Sequence, residues 1–229
     1  MVYLEPDIIE RPSWRLIQDL ERGIVPESAR ATLMTLALEP TITDVLVRLK
    51  KVQILNIHEP FYDKAGEIYL VTSVIDGLAK KPIVLDVKTF HGIKENDFLD
   101  IGDLGVAIYH NPPRKLPRFL DIRIQIIESD RKLRDAGKVL TEISNDQKFK
   151  DIQKILNTLA TTTTPLLTTV VDLTDKVANI IGGILKMNKD DQICYYAATF
   201  TDKFDNLGRG QHRHTKPHEA EFSYEILAG

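Results

Sequence analysis

A chain of 229 residues that is 43% hydrophobic and 28% charged can bury a full-sized core and is too apolar to remain disordered. With 30 Lys and Arg against 33 Asp and Glu, the formal charge of −3 removes any global electrostatic drive toward nucleic acid. The single cysteine, Cys194, excludes an internal disulfide, and the acidic start "MVYLEPDIIERPSW" lacks the basic and apolar regions of a secretory leader, so a cytoplasmic location is expected, with non-classical export as the alternative.

The first 44 residues read as helical. In "SWRLIQDLERG", residues 13–23, Trp14, Leu16, Ile17 and Leu20 recur at three- and four-residue spacing behind the N-cap candidate Ser13. Pro26 then opens "PESARATLMTLAL", with Ala29, Leu33, Leu36 and Ala37 on one face and Pro40 closing it. From residue 45 the period changes to two. "VLVRLKKVQILNI" alternates through Val45, Val47 and Leu49, slips at Lys50-Lys51 and resumes at Val52 and Ile54, which predicts a strand with a bulge. "EIYLVTSVID" and "IVLDVKTF" follow across the turn-like "GLAKKP", then "LGVAIYH" and "FLDIRIQIIE" on either side of "NPPRKLP". In the last of these, Leu120, Ile122, Ile124 and Ile126 alternate with Asp121, Arg123 and Gln125, the pattern of a half-buried strand.

Helical spacing returns in "DQKFKDIQKILNTLA" and, after "TTTTP", in "LLTTVVDLTDKVANIIGGILK". In the second, Leu166, Val170, Leu173, Val177, Ile180 and Ile184 form a heptad-like seam widened by Leu167, Val171, Ile181 and Leu185. Two strands close the chain, "QICYYAATFT" and "EAEFSYEIL". Too little apolar surface lies in them to stand alone, so they are expected to complete the sheet begun before the helices. Short, turn-rich connections favour antiparallel pairing, because parallel strands need a crossover between each pair. The expected fold is mainly β with helices: an antiparallel β-sandwich of about seven to eight strands with an N-terminal helical segment and a helical-hairpin insertion before the last two strands. The expected organisation is one domain over 1–229, with helices in 1–44, the sandwich in 45–128 and 191–229, and the insertion in 129–190.

Two clusters have metal-ligand composition. "GQHRHTKPH", residues 210–218, carries His212, His214 and His218. Three imidazoles with a carboxylate or water are a zinc donor set, although Arg209, Arg213 and Lys216 beside them oppose a dication. The alternative is a polar connection between the last two strands. Asp97, Asp100 and Asp103 lie between two predicted strands and Asp130 at the exit of another. If strands alternate direction, these aspartates share one rim, at the opposite end from the histidines, and offer the oxygens calcium takes. Aspartates in turns also serve as Asx-turn formers. In "ESDRKLRDAGKVL", Glu128, Asp130, Arg131, Arg134 and Asp135 have the spacing of helix-surface ion pairs rather than of an active site. Cys194, in an apolar strand, reads as a small core residue.

The strand count and the acidic loops at one end resemble the calcium- and lipid-binding β-sandwiches found as conserved regions of protein kinase C, the C-two fold. The likeness spans residues 45–128 and 191–229. It departs from that family in having no Asp-x-Asp pair in these loops and in its helical insertion, so lipid binding does not come with the fold. No glycine-rich phosphate loop, Gly-x-Ser-x-Gly or Cys-x-x-Cys is present. The expected function is therefore a non-catalytic binding module that uses the sandwich-end loops or the helical insertion to contact a protein, lipid head group or glycan. A protein partner comes first, a membrane surface second, and nucleic acid is not expected. A metal-dependent hydrolase, using zinc or calcium at the clusters above, and a membrane-active helical hairpin are the alternatives.

Overall fold

A computed structural model describes residues 44–57, 65–76, 78, 83–111, 116–129, 135–160, 167–186, 191–202 and 204–229. The helices expected at 13–23 and 26–40 lie outside that set.

Among the described residues, eight strands form two four-stranded antiparallel sheets. The first contains β1 (Val45–Ile54), β4 (Val106–His110), β7 (Gly210–Lys216) and β8 (Ala220–Ala228), in the order β4-β1-β8-β7. The second contains β2 (Gly66–Ile75), β3 (Ile83–Ile93), β5 (Phe119–Ser129) and β6 (Asp191–Thr201), in the order β3-β2-β5-β6. β1 has the expected bulge, a register shift between Leu49 and Lys51. Because the side-chain period is two, the extra residue is what keeps Val52 and Ile54 on the same buried side as Val45, Val47 and Leu49. Gly105 immediately precedes β4, and its φ of 77° and approach to the Leu49 carbonyl leave no room for a side chain. Inside the sandwich, Tyr109 on β4 donates a 2.8 Å hydrogen bond to Asp76 at the end of β2, tying the sheets together.

The strands after the insertion complete both sheets. β6 pairs with β5, and β8 pairs with β1, so residues 43–228 form one unit. There are three such strands rather than two. The histidine segment, expected as a connection, is itself β7, in register with β8 from Gly210 opposite Ile226 to Lys216 opposite Ala220.

Among the described residues the insertion holds three helices rather than a hairpin of two: α1 (Ala136–Asn145), α2 (Gln147–Ala160) and α3 (Leu167–Lys186). Asp135 caps α1 by accepting from the Gly137 and Lys138 amides. Asp146 breaks the chain between α1 and α2 with an extended backbone, and its carboxylate accepts from the Phe149 amide at 2.9 Å. Glu128, read as part of the same charged stretch, is instead a buried residue of β5. Arg131 and Arg134 lie outside the described residues.

These helices form a third layer on the second sheet. One apolar cluster joins Tyr69, Val71 and Ile75 of β2 and Val87 of β3 to Val139 and Ile143 of α1, Phe149 and Leu156 of α2, and Val177 and Ile181 of α3. The expectation of a half-buried β5 is corrected by this layer. Every residue of β5 is buried, because its polar face lies under the helices instead of under water. No helix among the described residues is long and apolar enough to cross a membrane.

Candidate functional site

The buried polar face of β5 holds α3 in place. Asp121 and Arg123 stand two residues apart on one face of β5, and the guanidinium meets the carboxylate through both Nε, at 2.7 Å, and Nη2, at 2.9 Å. Thr199 of β6 donates to Asp121 at 2.7 Å. From the helix, Thr174 accepts from Arg123 Nη2 at 2.7 Å, while Asp175 lies 3.1 Å from Nη1. One turn on, Gln125 donates to the Ala178 carbonyl at 3.3 Å. Burial pushes the Asp121 carboxyl up from its ordinary value, against the pull of Arg123 and Thr199 in the other direction. Threonine is a polar interruption of the apolar seam of α3 in sequence, and here it is the position where the helix reads the sheet.

With that face fixed, the wide apolar stripe of α3 divides in two. Val170, Val177, Ile181 and Leu185 turn inward and are buried, while Ile180 and Ile184 remain partly exposed beside α2. Between α2 and α3 runs an open groove of about 680 Å³. Ile152, Ile155, Leu173, Ile180 and Ile184 supply its apolar surface, and Asp146, Lys148, Asp151 and Lys176 its rim. Ile155 is 47% exposed at this groove. The volume lies in the range of ligand and peptide sites.

The histidines take a different place. His212 and His214 occupy alternate positions of β7 and face the edge of the other sheet. The His212 ring stacks on Tyr224 at 4.7 Å and lies 5.0 Å from Phe200, and its Nε2 is 2.5 Å from the Gly208 carbonyl. His214 lies 4.8 Å from Tyr196 and 5.3 Å from Phe222. The next residue on that side, Lys216, crosses to the Ile193 carbonyl at 2.9 Å. These side chains close the open side of the sandwich between β6 and β7.

His218 is in the turn after β7, with φ of 62°. That turn abuts the end of β1, where Glu219 accepts from the Leu55 and Asn56 amides. Asp97 accepts from the Ile54 amide at the same end. The expected separation of the histidine and acidic segments to opposite ends is thus corrected: β7 adds one more crossing of the sandwich and reverses the parity. Asp100 accepts from the Gly102 amide at 3.3 Å, as Asx-turn formers do, while Asp97 accepts from the amide of Lys94, three residues before it, at 2.9 Å. Asp103 is exposed two residues before Gly105, and Asp130 lies outside the described residues. Among the described residues, no three His, Cys, Asp or Glu side chains come together to hold a metal ion. Cys194 is buried, and burial pushes its thiol up to about 11, so it is protonated and a poor nucleophile at neutral pH.

Burial lowers the pKa of His214 from its ordinary 6.5. Below pH 6.5 the unfolded chain takes up a proton that the folded ring resists, so stability rises with pH through that window and is lost as pH falls below it. Urea denaturation at pH 7.5 and 5.5 is expected to show a smaller acid-induced loss for His214→Phe than for the parent. Equal losses in both proteins would remove His214 as a source of the pH dependence.

No protein-family model matches the chain, and no curated protein does.

Proposed function

We propose that the protein is a non-catalytic interaction module that receives an apolar segment of a protein partner in the α2–α3 groove. The groove carries this reading. It is lined by aliphatic side chains, and the helix forming one wall is anchored to the sheet through Arg123, so the surface is preorganised rather than assembled on binding. Recognition of an amphipathic helix uses such a groove, with apolar anchors in the floor and charges at the rim. The loop from Lys94 to Gly105, with Phe98 and Leu104 exposed, supports a second reading as a membrane contact. Its carboxylates Glu95, Asp97, Asp100 and Asp103 would be repelled by an anionic bilayer, which places that reading behind the first.

A photoreactive phenylalanine analogue at position 155, activated in the cell that makes the protein, tests the groove. The same analogue at Thr215, exposed on β7, is the control. Adducts to an apolar protein segment are expected at 155 and not at 215. Equal labelling at both positions, or none at 155, would overturn the reading.

A further inference from the structure

We propose that the occupant of the α2–α3 groove is a second copy of this chain, which makes the protein a two-fold homodimer through its helical layer. This inference rests on the groove being an interaction surface and names what fills it.

A two-fold interface sets one patch against itself, so each feature must find its complement within the same patch. The rim meets that condition. Asp146 and Asp151 are matched by Lys148 and Lys176, giving a rim without net charge. A rim of one sign would repel its own copy, whereas two acids and two bases can pair across the axis. The shape meets it as well. Ile155 projects from α2 as a knob, and the channel beside it, between α2 and α3, is a hole of matching apolar character. Rotated by half a turn, the knob of one copy enters the hole of the other.

The wall of the groove has one further feature. Gly183 faces outward from α3, and no atom lies within 4 Å of the place its Cβ would occupy. The bare backbone there lets a neighbouring helix approach more closely than any other residue would. Four helices, two from each copy, would then share the apolar surface that α2 and α3 leave open in one. The net charge of −3 adds little long-range repulsion between copies.

Sedimentation velocity of the full chain over a wide concentration series tests the proposal, with circular dichroism as a check on folding. The parent is expected to dimerise, and Ile155→Glu to be monomeric with an unchanged fold. An acidic-rim variant, Lys148→Glu with Lys176→Glu, is expected to self-associate at least about tenfold more weakly, because like charges now meet across the axis. So is a basic-rim variant, Asp151→Lys. Mixed together, the two rim variants are expected to form a heterodimer.

A dimer indifferent to all of these changes would overturn the proposal, since the copies would then meet elsewhere. A monomeric parent that forms adducts from position 155 to a different protein would overturn the choice of occupant and leave the groove reading standing. A monomeric parent with no adducts from position 155 would remove both.

Discussion

Replacing Arg123 with alanine is expected to destabilise the protein by about 3–5 kcal/mol, the cost of stranding one member of a buried ion pair. Asp121 has no exposed surface and Arg123 only 4%. Without the guanidinium, the Asp121 carboxylate keeps Thr199 but loses both of its charged donors, and Thr174 of α3 loses its bond to Arg123. The double replacement Asp121→Leu with Arg123→Met is expected to recover most of that loss. Apolar residues of similar volume satisfy the site without leaving a charge behind. Urea denaturation of the parent, the single variant and the double variant measures the contrast. A single-variant loss below about 1 kcal/mol, the range of an exposed pair, would mean that water reaches the pair and that it does not anchor the helix.

The same residues show what alternation can and cannot reveal. β1 is legible from its period of two and even from its slip at Lys50-Lys51, because its one buried face imposes the register. Alternation also says which side of β5 is polar. It does not say that the polar side is covered, since the cover comes from residues some fifty positions later and the tie is a side-chain network rather than a hydrophobic contact. β7 was hidden for the opposite reason. His212, His214 and Lys216 face the interior edge of the sandwich, where ring stacking and a long aliphatic stem satisfy side chains that a hydropathy pattern counts as solvent-facing. Missing that strand also misplaced the histidine turn by a full length of the sheet. The broad apolar stripe of α3 is legible in the sequence, but which part of it faces outward depends on Arg123 and Thr174.

Phe149→Ala is expected to cost about 3–5 kcal/mol, the usual loss for emptying the site of a buried aromatic side chain. At this chain length the melting temperature should fall by about 2–4 °C per kcal/mol. Phe149 lies in the first turn of α2, its amide held by Asp146 and its ring buried in the cluster shared by the three helices with β2 and β3. Ile155, less than two turns further along the same helix, is largely outside that cluster. In the monomer its truncation, Ile155→Ala, is expected to change stability by no more than about 0.5 kcal/mol, as for other surface substitutions. The two variants therefore separate the inner face of α2 from its outer one. Phe149→Ala should raise hydrogen exchange throughout the helical layer and weaken association only indirectly, by loosening the groove. Ile155→Ala should leave exchange in α2 unchanged in the isolated chain and weaken association directly. If both variants destabilised the fold equally, Ile155 would belong to the core, and the groove would lack the projecting side chain on which its docking role depends.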